Sequence, residues 1–522
     1  MMDSESIFQY RHKIKSLDDI KEILGDRPRE KKVIMCHGVF DVVHPGHVRH
    51  LSYAKSKGDI LVVSITADQH ITKGNVRPYV PEDLRALNLA AFEMVDFVLI
   101  DKEPTPLSNL SRMQPDYFAK GYEYVDGEVN FKTQEEIRVL EAYGGEVIFT
   151  PGDIVYSSSH LITLAPPKIA GDKLMFLMEA EKLTFNDLRE TLQKFSSLRV
   201  HVVGDTIVDS YTHCSMIGGM TKTPTMSVRY EEKQDYTGGA AVVAKHLRAT
   251  GAAVQFSTVL GEDELKDQVI SDLEAHDVKC QSIIDSTRPT TNKNAIVVGG
   301  YRLLKIDTLD NRSISERILH QLCDQIQNTP TDAVVFSDFR HGIFNRNTIP
   351  EATAAIPEGI FRVADSQVAS RWGNILEFQG FDLITPNERE ARFSLADQDS
   401  VVRPLGVELF ERANCKTLMM KLGERGMITF RDRPATDAQS FFHLDSFADN
   451  ATDPVGAGDA LLAYATLSLV AGAGEATAAI LGAFAAGIEC ELDGNIPVTP
   501  EHMLEKINKV ERDVHYGLNE AK

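Results

Sequence analysis

Residues 37–51 read HGVFDVVHPGHVRHL and place two imidazoles, His44 and His47, around Pro45-Gly46. A short apolar run, KVIMC (32–36), precedes the stretch, and a helix-like run, 47–57, follows it. The next apolar run, DILVVSI (59–65), completes a strand–helix–strand unit, from which a parallel sheet follows. The HPGH loop then lies where the first strand passes to the first helix, the position at which doubly wound sheets bind nucleotides. A helix N-terminus there offers unpaired N–H groups and the positive end of a dipole to phosphate. Gly38 and Gly46 let the backbone approach a ligand closely. Two imidazoles can donate hydrogen bonds to a phosphate and to the transition state at its phosphorus. A metal site and an incidental turn are the competing readings. A bare HxxH with no third ligand in register makes a poor zinc site.

Outward from this loop the alternation recurs. A helix is expected over 84–94, a strand over 95–100 (VDFVLI), a helix over 133–143 and a strand over 145–149 (GEVIF). These predict a small doubly wound α/β domain over 1–166. Residues 167–195 read as a linker plus an entry helix. At 198–204 (LRVHVVG) a second series begins, with strands expected at 254–260, 333–337, 361–364, 382–385 and 417–421. The fold class is therefore α/β, with the parallel-sheet domain followed by a larger α/β domain over 196–522.

The 522 residues exceed one ordinary core, and 43% hydrophobic with 25% charged residues is usual for a globular chain. The net charge of −21 argues against a nucleic-acid surface while leaving room for a local nucleotide pocket. Six cysteines (Cys36, Cys214, Cys280, Cys323, Cys415 and Cys490) form no CxxC pair and read as thiols of a reducing compartment. The first residues, MMDSESIFQYRHKIK, hold no apolar signal core. The apolar region 455–490 is broken by Asp459, Glu475 and several glycines, which predicts two buried helices and no membrane span. A cytoplasmic location is expected.

A second signature stands at 451–460, ATDPVGAGDA. Gly456-Ala457-Gly458-Asp459 before an apolar helix is a glycine-rich turn whose N–H groups can receive an anionic oxygen. Asp459 is then placed to take the proton from a sugar hydroxyl as it attacks a γ-phosphoryl group. There is no GxxxxGK[ST] P-loop.

The first half resembles the cytidylyltransferase-like nucleotidyltransferases: Gly38-Val39-Phe40-Asp41-Val42-Val43-His44-Pro45-Gly46-His47 fits their GxFDxxHxGH signature position for position. The resemblance implies that His44 and His47 contact the nucleotide phosphates and stabilise the departing pyrophosphate. It also implies a triphosphate-closing loop at Lys73, Gly74, Arg77 and Pro78, with Lys73 catalytic and Arg77 binding nucleotide. Nucleotide contacts are further implied at Lys120-Gly121 and at Ser157-Ser158-Ser159. His37 reads as a strand-end packing or base-edge residue.

The second half, about 198–498, resembles the ribokinase-like sugar kinases of the phosphofructokinase B type. The resemblance implies sugar binding by Asp205 and Asp209 (GDxxxD), by Gly238-Gly239 and by Lys293. It implies that Asn387 and Glu390 (NxxE) organise Mg²⁺ and its waters. Nucleotide binding is implied at Lys421, Gly423 and Gly426, and at Gly456, Ala457 and Gly458. Val242, Asn294, Arg340-His341 and Pro454 depart from the pattern and imply an altered sugar pocket; an inactive, regulatory domain is the minority reading.

Together the halves resemble the bifunctional heptose kinase/ADP-heptose synthases of surface-polysaccharide synthesis, with the domain order reversed. The resemblance implies Mg²⁺-dependent phosphorylation of a sugar phosphate, a heptose 7-phosphate, at O1. Nucleotidyl transfer from ATP, or CTP, to a sugar 1-phosphate would follow, with release of pyrophosphate. It also implies a homodimer whose partners are sugar phosphates and nucleoside triphosphates. Two rival readings stand beside it: a CTP-dependent transferase acting on an alcohol phosphate with a vestigial kinase half, and a non-enzymatic sugar-phosphate sensor.

Overall fold

The computed structural model describes residues 8–71, 78–121, 131–150, 170–218, 226–367, 374–432, 440–449, 452–492 and 494–516. The chain divides into two compact units, Met1–Ile169 and Ala170–Lys522.

The first unit is built on β1 (Val33–Gly38), β2 (Ile60–Thr66), β3 (Phe97–Asp101), β4 (Tyr117–Gly121) and β5 (Glu146–Thr150). Their order is β3-β2-β1-β4-β5 and every pairing is parallel. A central parallel strand is covered on both faces, so β1 is apolar without alternation. Its side chains nonetheless divide with period two. Ile34 and Cys36 pack with Leu51 and Ala54 of the helix Pro45–Lys55, while Val33 and Met35 pack with Ile20, Leu110 and Phe118 on the other face. The strand order reverses beside β1, which puts the loop after β1 at the switch point of the sheet. β4, YFAKG, is half polar, and the sequence patterning did not single it out.

The second unit holds two sheets. The larger uses β6 (Arg199–Gly204), β9 (Ala253–Leu260), β10 (Lys279–Ile284), β13 (Ala333–Asp338), β14 (Phe361–Ser366), β15 (Leu383–Ile384), β16 (Thr417–Lys421), β17 (Met427–Arg431) and β18 (Phe441–Leu444). The order is β10-β9-β6-β13-β14-β15-β16-β17-β18, parallel as far as β16 and antiparallel thereafter. The smaller sheet joins β7 (Thr206–Gly218), β8 (Ser227–Gly239), β11 (Asn292–Val298) and β12 (Tyr301–Thr308) in the order β12-β11-β7-β8. Its strands are largely polar, β8 reading SVRYEEKQDYTGG, so hydrophobic patterning misses them.

The segment expected as a linker and entry helix instead holds two helices, Ala170–Ala180 and Phe185–Lys194. Leu174, Leu177, Leu188 and Leu192 bury them in the core of the second unit, and the Lys173 ammonium pairs with Asp445 at 2.9 Å. Apart from Lys173, its charged residues lie on the outer faces of amphipathic helices, so part of the stretch read as linker by composition. The region 455–490 forms the helices Ala457–Val470 and Glu475–Glu491. They approach closely because Gly482 has no side chain: a Cβ there would stand 3.2 Å from the Leu461 carbonyl oxygen. Among the described residues no helix is long and apolar enough to cross a membrane. All six cysteines are unpaired.

Candidate active sites

The first site is the loop after β1. Phe40 takes φ +49°, a left-handed conformation that a bulky residue holds only when its surroundings impose it. The Asp41 carboxylate accepts the Val80 N–H at 2.8 Å and draws the segment after residue 78 onto the loop. Arg85, wholly buried, completes the clamp. Its guanidinium donates to the carbonyls of Val80 (3.0 Å), Thr66 (2.9 Å) and Val39, and to the Asp68 carboxylate (2.6 Å). Arg85 escapes sequence reasoning because an arginine in a helical run ordinarily reads as a solvated charge.

His44 is the N-cap of the helix Pro45–Lys55, and its Nδ1 accepts the Gly46 N–H at 3.1 Å. The proton of the neutral ring therefore sits on Nε2. His47 Nδ1 accepts the His44 N–H at 3.3 Å, and the two rings lie 3.9 Å apart. Gly46 is required here, because a Cβ would stand 2.8 Å from the His44 ring. Burial and the neighbouring His44 and His50 push His47 down to about 4, and burial with Arg49 lowers His44. Both shifts favour the neutral imidazole over the cation. Two rings this close could not both carry charge cheaply.

Lys120 and Gly121 end β4, the strand beside β1. The Lys120 ammonium bonds Thr133 Oγ1 at 3.1 Å and pairs with Glu136. His37 ends β1 with its nitrogens 3.0 Å from Ser64 Oγ and 3.2 Å from Thr66 Oγ1. Burial takes it down to about 4, and burial takes the nearby Asp101 up to about 6. Lys73, Gly74, Arg77 and Ser157-Ser158-Ser159 lie outside the described residues.

The second site gathers at the N-terminus of the helix Ala457–Val470. Gly456 caps it with φ +86°, and Asp459 lies in its first turn. The Lys421 ammonium, at the end of β16, bonds Asp365 Oδ1 at 3.0 Å, and Thr385 Oγ1 bonds the same oxygen at 3.0 Å. A Cβ on Gly458 would stand 3.2 Å from Lys421 Nζ, so the glycine turn passes directly over the ammonium. Burial, with Asp365 and Glu390 nearby, pushes Asp459 up to about 7 against the pull of Lys421. Burial lowers the Lys421 ammonium, but Asp365, Glu390 and Asp459 outweigh it and hold it raised. Asp365 is a site residue that sequence reasoning missed; its signal was a carboxylate ending an apolar strand, FRVAD.

Asn387 caps the helix Glu388–Leu395 in a reciprocal box with Glu390. Its N–H and Nδ2 donate to the two carboxylate oxygens at 2.7 Å each, and its Oδ1 accepts the Glu390 N–H at 2.9 Å. Among the described residues no three carboxylate, thiol or imidazole groups come together closely enough to hold an ion alone. The donor set still suits a hard cation that arrives with phosphate oxygens, as Mg²⁺ does.

The smaller sheet supplies the remaining residues. Asp209 on β7 lies in register with Lys293 on β11, and Lys293 with Asp307 on β12. Gly238 faces Asp209 so closely that a Cβ would meet its Oδ2 at 2.6 Å. Gly239 takes φ +67° where β8 turns into the helix Ala240–Ala249. Asp205 adjoins this group through its backbone: its carbonyl accepts the Ala240 N–H at 3.0 Å, and a Cβ on Gly239 would stand 2.5 Å from that oxygen. Its carboxylate accepts the N–H groups of Phe339 and His341 (3.1 Å each) and Ile343 (3.4 Å), which fastens the SDFRHG turn. Arg340 in that turn pairs with Asp338 at 2.8 Å and Glu377 at 2.7 Å. Gly423 and Gly426 take positive φ in the turn between β16 and β17.

Comparison with known proteins agrees with this division. A family model described as pfkB family carbohydrate kinase matches residues 198–501, and one described as cytidylyltransferase-like matches residues 35–164. The bifunctional protein HldE of Desulfatibacillum aliphaticivorans is 30% identical over 302 residues, 56% of this chain and 60% of that protein. HldE of Campylobacter jejuni subsp. doylei is 41% identical over 119 residues, 22% of this chain and 25% of that protein. The chain thus spans about 60% of the length of the first of these relatives. Among solved structures, the tetrameric inhibited form of phosphofructokinase-2 from Escherichia coli shares the fold, with a TM-score of 0.50 at 17% identity over 60% of this chain and all of that one. The chain belongs to the pfkB family of carbohydrate kinases and carries a cytidylyltransferase-like domain ahead of its kinase-family domain.

Proposed function

We propose that the chain is a bifunctional enzyme of sugar-nucleotide synthesis. The second unit transfers the γ-phosphoryl group of ATP to a hydroxyl of a sugar phosphate, most simply O1 of a heptose 7-phosphate. The first unit joins a nucleoside monophosphate to the resulting sugar 1-phosphate and releases pyrophosphate. A separate phosphatase acts between the two steps. The observation that carries this reading is the presence in one chain of paired imidazoles at one helix N-terminus, and of Asp459 with Lys421 at a glycine turn opening another.

In the kinase unit Asp459 accepts the hydroxyl proton, which its raised affinity favours near neutral pH. Asp209 holds a sugar hydroxyl against Gly238, and Lys293 lies beside it in register. Mg²⁺, held through Glu390 and the phosphates, neutralises developing charge when bound. In the transferase unit the Nε2–H of His44 donates to phosphate oxygens, with the His47 ring packed against it, while Phe40, Asp41 and Arg85 hold the loop in shape. A homodimer through the smaller sheet is part of the proposal. It is supported by the exposed apolar residues Tyr301, Leu304 and Ile306 on β12, with Met216 and Ile217 on β7.

The test is pyrophosphate release from each of four nucleoside triphosphates with a panel of sugar 1-phosphates, and ADP release from ATP with sugar phosphates. Release with ATP and a heptose 1-phosphate supports the reading. Release only with CTP and an alcohol phosphate moves the first unit to another reaction. Turnover in neither assay removes both activities.

A further inference from the structure

Glu489 lies in the last turn of the helix Glu475–Glu491 and is wholly buried. Neither of its carboxyl oxygens has a hydrogen-bond partner among the described residues. It faces two things. One is Gly456, the cap of the catalytic helix: a Cβ on Gly456 would stand 2.7 Å from Glu489 Oε1 and 2.8 Å from Asn495 Oδ1. The other is His246, also wholly buried, whose Nε2 is 3.9 Å from Glu489 Oε1 and has no partner of its own. His246 belongs to the helix Ala240–Ala249, which begins at the sugar-site glycine Gly239. The pair therefore joins the helix behind the sugar pocket to the cap of the helix that carries Asp459.

The protonation of the pair follows from one further contact. The Val498 N–H points at His246 Nδ1 at 3.2 Å, so that nitrogen is an acceptor and the ring proton sits on Nε2, toward Glu489. An imidazolium would set a second N–H against that of Val498. His246 is thereby held neutral and cannot take a proton from Glu489. Two oxygens, Glu489 Oε1 and Asn495 Oδ1, converge on Gly456, an arrangement that a carboxyl proton relieves and a carboxylate aggravates.

We propose that Glu489 is a positioning residue of the kinase site that works in its protonated form, enclosed beside His246 and keeping the back of the Gly456–Asp459 turn neutral. Ionised, it would set a negative charge behind the N–H groups that receive the phosphoryl oxygens, and transfer would slow. The charged and titratable groups around the pair act in the same direction. Burial, then Asp459 and Asp453, push Glu489 up to about 8, and burial, then Lys245, push His246 down to about 3. This inference rests on the kinase reading of the second unit.

The experiment compares wild type with Glu489→Gln and His246→Ala in the full chain, measuring kcat for ADP release with saturating ATP and sugar phosphate from about pH 6 to 9.5. Wild type is expected to lose activity above about pH 8, approaching tenfold per unit, while Glu489→Gln keeps its neutral-pH kcat and stays within about twofold across the alkaline range. His246→Ala opens the enclosure that keeps Glu489 from water and moves the alkaline limb to lower pH. An unchanged limb in Glu489→Gln overturns the proposal. If no sugar phosphate is turned over, the kinase reading fails, and the melting temperature of the second unit still decides the protonation. A carboxyl raised in the folded state costs stability progressively as pH rises from its unfolded value of about 4.5 to about 8. The advantage of Glu489→Gln over wild type should therefore grow across that window. A constant difference overturns the proposal on its own.

Discussion

The ammonium of Lys421 bonds the Asp365 carboxylate at 3.0 Å, joining the ends of β16 and β14 directly beneath the glycine turn that carries Asp459. Asp365, Glu390 and Asp459 all act on this lysine. Removing it leaves buried carboxylates without compensation. Lys421→Met is expected to destabilise the second unit by about 3–5 kcal/mol, the usual result of breaking a buried pair on one side. It should also raise the Asp459 affinity for its proton. Urea unfolding followed in the second unit measures the first effect.

Asp459→Asn is expected to lower kinase turnover by about 10²–10⁴-fold and leave pyrophosphate release by the first unit unchanged. Because the base must be deprotonated and its affinity is raised to about 7, wild-type kcat should climb with pH through that value. A pH-independent kcat between 5.5 and 8 would contradict the assignment of Asp459 as base.

For the transferase the pH dependence is opposite in character. His47 sits at about 4 and is already neutral at pH 5.5. Its kcat/KM should stay flat through neutrality and change only as pH falls toward about 4. His44→Ala and His47→Ala should abolish pyrophosphate release without touching ADP release. A flex point near 6.5 would show that the rings titrate freely.

Gly238→Ala places a methyl 2.6 Å from Asp209 Oδ2. The severe contact is with the Asp209 side chain, while the Ile207 carbonyl at 3.3 Å needs only a small shift, so the carboxylate is expected to move while the fold survives. KM for the sugar phosphate should rise by about 10-fold or more, with kcat less affected, as one to three kcal/mol of overpacking near the ligand implies, about tenfold per 1.4 kcal/mol. Equal loss of kcat and gain of KM would place the effect elsewhere.

Arg85→Met removes donors to three carbonyls and to Asp68 at once. The first unit should lose about 3–5 kcal/mol, since a buried carboxylate and buried carbonyls lose their partner. Kinase turnover should be unchanged. Separate calorimetric transitions for the two units would show whether the loss is confined to the first.

What could be read in advance divides along physical lines. The β1 run and the HPGH loop were legible because a central parallel strand is continuously apolar and a helix start after it carries its own punctuation. The helices Ala457–Val470 and Glu475–Glu491 were legible for the same reason, as long apolar runs broken by glycine. The smaller sheet was not, because β8 and β12 expose most of their side chains and carry little hydrophobic period. Over 167–195, expected as a linker plus an entry helix, the structure holds two helices, Ala170–Ala180 and Phe185–Lys194, because the charges interspersed along the first masked its apolar face.

By itself, then, the sequence determined the two α/β units, their order and the two glycine-framed turns at helix starts, because backbone conformation and burial leave a local, periodic mark. Only the tertiary structure decided the rest. It gave the Asp205 carboxylate the N–H groups of Phe339 and His341 and set Asp209 against Gly238. It brought Asp365 to Lys421, 56 positions along the chain. It also buried Glu489 behind Gly456. Charges are assigned their work by distance and desolvation, and neither quantity is written in the order of residues along a chain.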